Sequence, residues 1–312
     1  MSQDARHLIE IRPAPGKGLG LFTKERIPQG IRVLAESPII SILSNRNQCS
    51  SVFRAFKNLT TLQQTEFLTL CCRTPESLKR KVETELKRDW QQIPEIHRDI
   101  ISIWSANTYV YYMYLLASRI NHSCLPNLYY RFNENLDMGT FHAVRDIEKD
   151  EELTISYINA TNHMKHQRQD DLESWGIECQ CLACVDTDRN RRGEENRAKL
   201  YDLEQVLTSA PSYKACLQVA EKMAVIQRDE GLWTRDLGIC YHTAAYYSLK
   251  LGNRKSALKW AEEEMKYNIM CMGADHPDSE EVILIVGRLR AWAEGSTPFH
   301  PSIMAWCDKY GY

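Results

Sequence analysis

The chain lacks any long apolar run and any strong excess of one charge. No stretch of about 18 apolar residues occurs in its 312 residues, so we expect no membrane span and no membrane partner. The formal net charge of −2 provides no basic field for gripping nucleic acid, and we expect no direct nucleic-acid binding. The polar stretch that starts at Met1 lacks the apolar region of a secretory signal, which favours the nucleus, the cytoplasm or both.

The eleven cysteines are an odd number, and most of them are scattered among apolar or helical segments. This pattern is typical of a reducing compartment, where isolated thiols act as small core residues. Cys179, Cys181 and Cys184 instead form a cluster just before a polar run. Three thiols on one turn suit zinc better than core packing, and a distant residue must then supply the fourth ligand. Unligated cysteines and a redox CxxC pair remain the alternatives.

The pattern of apolar residues along the chain predicts an α+β fold with two domains. Residues 8–44 show short strand signals separated by Pro and Gly, and apolar residues recur near helical spacing from about 45 to 115. Strand signals return between residues 128 and 157. A polar run over residues 186–195 indicates the boundary between a domain over 1–185 and a helical domain over 195–312.

The helical domain contains one segment that looks like a tetratricopeptide helix pair. Residues 244–252 end in a glycine that suits a tight turn, and the alanine-rich segment 257–261 follows. Residues 273–277 look like a loop before another helix that starts near Asp278. With one convincing repeat, a plain helical bundle stays open as the alternative.

Three further segments carry polar or glycine-rich motifs. Gly16-Lys-Gly-Leu-Gly20 matches neither phosphate-binding glycine motif, and by turn chemistry alone it is a tight turn between strands. Asn121-His-Ser-Cys-Leu-Pro-Asn127 is rich in side chains that bond to their own backbone, which predicts an ordered loop. Glu151-Glu-Leu-Thr-Ile-Ser-Tyr157 ends an apolar strand in a tyrosine, which by spacing alone is a half-buried strand residue.

The NHSC loop, the ELTISY strand and the CxCxxC cluster, in this order, resemble the catalytic core of SET-domain methyltransferases. The match is strong over residues 118–184 and weaker over 16–36, and the order of segments is similar to the SET-and-MYND group. The resemblance implies a SET β-fold with a pseudoknot, a helical insert at about 45–115, a zinc-binding post-SET segment at 175–185 and a TPR-like all-α tail. The insert holds only Cys49, Cys71 and Cys72, too few for two zinc ions, so the MYND finger is absent.

The same resemblance implies an enzyme that transfers a methyl group from S-adenosyl-L-methionine to an amine, most simply a protein lysine. It implies Cys124 as the fourth ligand of a structural Zn²⁺ and Tyr157 as the hydroxyl beside the reacting centre. The implied cofactor-binding residues are Gly16, Lys17, Gly18, Asn107, Ser118, Asn121, His122, Tyr157 and Ile177. The implied walls of the substrate channel are Tyr109 and Trp175.

Physical chemistry makes this set of residues reasonable. A phenol can orient the amine and the sulfonium methyl in line, and an aromatic channel can admit a lysine side chain stripped of water. Desolvation near a sulfonium lowers the pKa of the lysine ammonium, so no dedicated base is required. The expected partner is a protein or peptide, such as a histone or another lysine-bearing protein.

Two residues depart from the pattern of the family. Trp175 stands where many relatives carry tyrosine, and Ile177 stands where an adenine-stacking phenylalanine is frequent. These departures motivate a non-catalytic scaffold as a second hypothesis. The aromatic residues at 109–115 replace a Gly/Pro-containing stretch and motivate a third, a SET fold that acts on a small molecule.

Overall fold

The computed structural model describes residues 4–43 and 48–310. The strands are β1 (Ile9–Ala14), β2 (Gly18–Thr23), β3 (Arg32–Glu36), β4 (Ile40–Ser41), β5 (Tyr112–Met113), β6 (Asn121–His122), β7 (Leu128–Asn133), β8 (Met138–Ala143) and β9 (Thr154–Ile155). The helices of the N-terminal half are α1 (Gln48–Lys57), α2 (Thr61–Leu68), α3 (Glu76–Leu86), α4 (Glu95–Asn107) and α5 (Lys165–Leu172). Those of the C-terminal half are α6 (Asp188–Ser209), α7 (Tyr213–Asp229), α8 (Arg235–Lys250), α9 (Arg254–Met272), α10 (Pro277–Ala293) and α11 (Ser302–Cys307). The predicted α+β fold with a helical C-terminal region is confirmed.

The strands form small separate sheets rather than one large sheet. β3, β8 and β7 form an antiparallel sheet of three strands, and β1 pairs with β2. β6 and β9 run parallel, with Asn121 opposite Thr154 and His122 opposite Ile155. This short pairing brings the NHSC loop beside the ELTISY segment. The predicted strand over residues 153–157 is paired only at Thr154 and Ile155, because the backbone N–H of Tyr157 bonds to the side chain of His122 instead.

The insert between β4 and β5 is helical, as its apolar spacing predicts. Its predicted start near residue 45 lies outside the described residues. Helices α1 to α4 enclose a separate apolar core that includes Val52, Phe67 and Trp104. Thr60 begins α2 with a capping box, in which Thr60 and Gln63 exchange hydrogen bonds. The insert therefore has local signals and a core of its own.

The polar run at 186–195, which predicts a domain boundary, is helical from Asp188 onward. The hydroxyl of Thr187 accepts a hydrogen bond from the backbone N–H of Asn190 and so caps α6. The run is polar because most of this face of α6 is exposed to solvent. Where one domain ends and the next begins stays a prediction.

Helices α7 to α10 pack one against the next around an apolar core that includes Leu237, Ala244 and Leu289. Gly252, at a φ of 71°, makes the turn between α8 and α9, as the helix-pair pattern predicts. α9 also packs on β7 and β8, so the helices cover one face of the N-terminal half. An ion pair between Arg32 and Asp275 fixes this contact. None of the described helices combines the length and apolar character that a bilayer crossing requires.

Candidate active site and metal centre

Four cysteines from two distant segments meet in one cluster. The sulfur atoms of Cys124, Cys179, Cys181 and Cys184 all lie within 4.8 Å of one another, and none of the four forms a disulfide. The Sγ of Cys124 is 3.9 Å from that of Cys179 and 3.6 Å from that of Cys184. A tetrahedral zinc ion with Zn–S bonds of about 2.3 Å requires sulfurs about 3.8 Å apart. The geometry therefore fits a zinc ion with four thiolate ligands, including the predicted distant ligand.

Within residues 4–43 and 48–310, this cluster is the one group of three or more His, Cys, Asp or Glu side chains that could hold a metal ion. Cys49 is buried in the core of the insert, and Cys71 and Cys72 are exposed outside the cluster. The absence of a zinc finger in the insert stays a prediction.

Arg168 places a positive charge beside the thiols. Its side chain is fully buried and donates hydrogen bonds to the Sγ of Cys184 at 3.6 Å and to the carbonyl of Ala183 at 3.1 Å. Hydrogen bonds from Cys124 and Cys179, with a further one from Arg168, lower the pKa of Cys184. A buried cation stabilises thiolates, so this arginine suits a site whose ligands must be deprotonated. Sequence reasoning missed it, because a lone arginine on a polar helix carries no signal.

His122 connects the cysteine cluster to Tyr157. Its Nδ1 accepts a hydrogen bond from the backbone N–H of Tyr157 at 3.0 Å. The other ring nitrogen, Nε2, therefore carries the hydrogen and donates to the Sγ of Cys124 at 3.3 Å. Burial lowers the pKa of His122 to about 4, which keeps the ring neutral. One side chain thus joins a metal-ligand candidate to the backbone of the candidate catalytic tyrosine.

Tyr157 holds its phenol in a defined position. Its hydroxyl donates a hydrogen bond to the carbonyl of Ile120 at 2.7 Å, and its ring centroid lies 5.9 Å from that of Trp175. Burial raises the pKa of Tyr157 above its usual value, and nearby Cys71 and Glu152 raise it further. The phenol is therefore neutral near pH 7 and acts as a hydrogen-bonding group rather than as an anion.

A cavity of about 500 Å³ opens beside Tyr157. Its lining includes the predicted residues Asn107, Tyr109, Ser118, Tyr157 and Trp175, together with Trp233, Thr234, Arg235 and Asp236 at the start of α8. The hydroxyl of Tyr109 donates to the carbonyl of Ala117 at 2.7 Å, which fixes that aromatic wall. The structure brings the predicted channel walls and the predicted catalytic tyrosine together. The α8 residues were missed, because nothing in their local sequence says that they face the N-terminal half.

The other predicted cofactor residues lie outside the lining of this cavity. Gly16 and Gly18 make the turn between β1 and β2 at φ values of 72° and 78°. The Nζ of Lys17 lies 2.7 Å from a carboxylate oxygen of Glu152, and the Nδ2 of Asn121 donates to the same carboxylate at 2.8 Å. Glu152 therefore joins the glycine-rich turn to the NHSC loop. Sequence reasoning gave Glu152 no role, although it is the first residue of the ELTISY motif.

Ile177, Asn107 and Ser118 are held by contacts within the chain. Ile177 packs against the buried residues of the cysteine cluster rather than in the cavity. The Nδ2 of Asn107 donates to the carbonyls of Cys71 and Ile103, both at 2.7 Å. The hydroxyl of Ser118 donates to the carbonyl of Tyr114 at 2.5 Å. Because these donors are already engaged, Asn107 and Ser118 can offer a ligand mainly their acceptor oxygens, and their roles stay predictions.

Parts of this chain are similar to a known protein family and to several known proteins. The model of the SET domain family matches residues 18–158. Histone-lysine N-methyltransferase set5 of Schizosaccharomyces pombe is 30% identical over 185 residues, which cover 59% of this chain and 53% of that protein. The putative SET domain-containing protein L678 of Acanthamoeba polyphaga mimivirus is 22% identical over 195 residues, covering 55% of this chain and 76% of that protein.

Histone-lysine N-methyltransferase SET5 of Saccharomyces cerevisiae is 33% identical over 85 residues, covering 27% of this chain and 16% of that protein. The chain thus spans about half the length of the fission yeast relative and less of the budding yeast one. A solved structure, the SET domain of LSMT bound to lysine and AdoHcy, aligns over 99% of this chain and 96% of that chain, at 14% identity and a TM-score of 0.37. The family match covers β2 to β9, the insert, the NHSC loop and Tyr157, and residues 18–158 of this chain are therefore similar to a SET domain.

Proposed function

We propose that the chain is an S-adenosyl-L-methionine-dependent N-methyltransferase that acts on protein lysine. The observation that carries the proposal is Tyr157, whose neutral phenol is bonded to the Ile120 carbonyl and lies on a cavity walled by Tyr109 and Trp175. The histone-lysine N-methyltransferases among the relatives support a protein substrate such as a histone. A substrate of that kind fits activity in the nucleus or the cytoplasm.

The donor set of the site fits a cationic cofactor. A sulfonium is favoured by neutral oxygen atoms and by carboxylates, and the site offers the Tyr157 hydroxyl, the Ile120 carbonyl and the Glu152 carboxylate. When bound, S-adenosyl-L-methionine supplies an electrophilic methyl group. The residues that would hold it are Gly16, Lys17, Gly18, Asn107, Ser118, Asn121, His122, Tyr157 and Ile177. Of these, Asn121 and Lys17 meet at Glu152, and His122 bonds to the backbone of Tyr157.

The cavity suits a lysine side chain in its neutral form. Tyr109 and Trp175 provide aromatic walls, and an amine between such walls loses most of its contact with water. Desolvation disfavours the ammonium form and lowers its pKa, so the proton leaves to solvent before transfer. The oxygen of Tyr157 then orients the amine lone pair, and the fixed geometry removes the entropic part of the barrier.

The cysteine cluster acts at a distance from this chemistry. Four thiolates would close the coordination sphere of zinc and leave no position for an activated water. The metal would instead hold the segment after residue 175 against the NHSC loop. Through the contact of Cys124 with His122, it would also fix the backbone of Tyr157. In this proposal the zinc is structural and Tyr157 is the catalytic residue.

Replacing Tyr157 with phenylalanine tests the proposal. Tyr157→Phe keeps the ring but removes the hydroxyl, and we expect the rate of methyl transfer to a histone peptide to fall by about 10²-fold or more. The affinity for S-adenosyl-L-methionine, measured by titration calorimetry, should change much less because the cofactor contacts many other groups. Tyr201→Phe, on an exposed face of α6, is the matched control and should leave the rate unchanged.

Two results would contradict the proposal in different ways. If the wild-type chain binds no S-adenosyl-L-methionine, the chain is not a methyltransferase of this kind. If Tyr157→Phe turns over as fast as the wild type, the enzyme assignment stands but the role of Tyr157 is wrong.

A further inference from the structure

Val110 has a backbone conformation that valine rarely adopts. Among the described residues, four other than glycine have a positive φ: Lys87, Val110, Asp137 and Asp150. Lys87 ends α3 in the left-handed conformation common after helices, and the two aspartates belong to a residue type that tolerates this region. Val110, at a φ of 58°, is β-branched, and its side chain makes this conformation strained. It is the one β-branched residue in this set.

The surrounding turn holds Val110 in place. The backbone N–H of Tyr109 donates to the carbonyl of Tyr112 at 2.7 Å, and the N–H of Tyr112 donates back to the carbonyl of Tyr109 at 3.1 Å, so Val110 is the first central residue of a two-residue hairpin turn. Turns of this kind take a positive φ at the first central position, where glycine, asparagine or aspartate is usual and a β-branched valine is strained. Both flanks are anchored, because the Tyr109 hydroxyl bonds to Ala117 and the ring of Tyr112 stacks on Phe132 with centroids 4.0 Å apart. The anchors determine the turn, and the strain falls on Val110.

Packing within the chain does not compensate for this strain. The side chain of Val110 is 73% exposed, the highest exposure of any large apolar residue except Leu182 among those described. A glycine at this position would adopt the same backbone without strain and would expose less apolar surface. Strained, exposed residues of this kind cluster where a protein binds a ligand. Val110 also lines the cavity that contains Tyr157.

The cavity has room for more than the methylated side chain. At about 500 Å³ it lies in the size range of sites that enclose a whole small ligand, and it is larger than one lysine side chain. The predicted cofactor residues Asn107 and Ser118 also line it, so the cofactor would share this volume with the substrate. Besides Val110, its apolar lining includes Leu128, Tyr129 and Trp233, the last of which comes from the helical half. The lining therefore offers apolar surface in addition to the aromatic walls at Tyr109 and Trp175.

We propose that Val110 is a specificity-determining residue, which contacts an apolar side chain adjacent to the methylated lysine in the substrate polypeptide. The inference rests on the proposed function and goes beyond it by naming the class of sequence that the enzyme selects. The side chain of Val110 provides apolar surface for the substrate. This contact with the substrate offsets the cost of the strained backbone at the turn. Arg235 and Asp236 also line the cavity, so a substrate with a charged neighbour is the competing outcome.

The test separates side-chain contact from backbone strain by using two substitutions. Val110→Ala removes most of the apolar surface and keeps a side chain at positive φ, whereas Val110→Gly removes the surface and the strain. Two peptides are compared that differ only next to the lysine, one with leucine and one with serine at that position. For each variant, kcat and KM are measured with the full chain, peptide affinity is measured by fluorescence anisotropy, and the thermal midpoint is recorded.

We expect both variants to raise KM and Kd for the leucine peptide by about tenfold, with little change for the serine peptide. Only Val110→Gly should also raise the thermal midpoint, because it alone relieves the strain. Lys87→Gly, at the end of α3 and outside the cavity, is the matched control. It should raise the thermal midpoint and leave both peptides unaffected.

The proposal is wrong if both Val110 variants have the same KM and Kd as the wild type for each of the two peptides, whatever happens to the thermal midpoint. It is also wrong if a basic or acidic neighbour, and not an apolar one, makes the affinity sensitive to Val110. Failure of the proposed function looks different. The wild-type chain would then transfer no methyl group to any peptide, while a preference for leucine that depends on Val110 would still show in the anisotropy measurements.

Discussion

The strands that carry the candidate active site pair over two residues each, whereas helices α7 to α10 run for 16 to 19 residues and pack in sequence. The N-terminal half therefore depends on side chains that link its segments. The amide of Asn127, for example, donates to the Glu152 carbonyl at 2.8 Å and accepts from the backbone N–H of Thr154 at 2.8 Å. The helical half depends instead on one large apolar core.

This difference between the two halves shows which kind of backbone can position functional groups. Irregular backbone held by side-chain contacts can present a phenol, a carbonyl and a carboxylate at chosen positions, which a regular helix does less easily. The helical half contributes a wall to the cavity and a rigid support through α9. The candidate site and the largest apolar core thus lie in different parts of the chain, and the following predictions test whether the two halves are stabilised separately.

Metal removal should produce the largest effect, and only in the N-terminal half. Structural zinc contributes about 10–16 kcal/mol of apparent binding free energy in small zinc-binding peptides. We expect a chelator, or the substitution Cys181→Ser, to abolish zinc binding and to increase hydrogen exchange over residues 118–184. Helices α7 to α10 should keep their protection.

Metal content and hydrogen exchange measured by mass spectrometry check this prediction. Cys216→Ala is the control, because Cys216 is buried in α7 outside the cluster. A uniform loss of protection over both halves would show that their stabilities are not separate.

A substitution that creates a cavity in the core of the helical half should have the next largest effect on stability. Leu289 on α10 is fully buried, and Leu289→Ala should destabilise the helical half by about 2–5 kcal/mol. Leu284→Ala on the same helix is the control, since that side chain is 61% exposed. Denaturant unfolding should show a large shift for the first variant and almost none for the second. If cofactor affinity at low temperature falls with Leu289→Ala, the cavity wall depends on the helical core more than we expect.

The contact between the two halves should make a smaller contribution to stability, and that contribution should depend on pH. His142 on β8 accepts a hydrogen bond from the Nε of Arg32 at 3.2 Å. Burial, with a further effect of Arg32, lowers the pKa of His142 to about 3. The unfolded chain protonates this residue below about pH 6.5 while the folded chain does not. Stability is therefore lost as the pH falls from about 6.5 towards 3.

We expect His142 to account for about 2 kcal/mol of the stability lost between pH 7 and pH 5. His142→Gln removes the titrating group, so urea unfolding of this variant should depend less steeply on pH. Buried His122 and His276 also have a lowered pKa, and some dependence should remain. His166→Gln, at an exposed position, should leave the slope unchanged. An identical slope in His142→Gln and the wild type would contradict the prediction.

Sequence reasoning predicted the fold class well because its signals are local. Helical spacing in the insert, the Gly252 turn and the strand segments each depend on a few neighbouring residues, and each is present. The polar run at 186–195, predicted as a domain boundary, is helical from Asp188 onward, and an exposed helix with a Thr187 cap is as polar as a connecting segment. The cysteine set was predicted in full, but Cys124 joined it through a family resemblance rather than through spacing.

By itself, the sequence determined the types of the elements, the clustered thiols and a motif order that resembles that of SET domains, because these depend on residues close together in the chain. Only the tertiary structure decided that His122 lies between Cys124 and Tyr157, that Glu152 joins the glycine-rich turn to Asn121, and that α8 walls the cavity. Those contacts join residues from separate segments. They form because many weak packing contacts and hydrogen bonds throughout the chain stabilise the same structure together. No short stretch of sequence contains enough information to predict that combined effect.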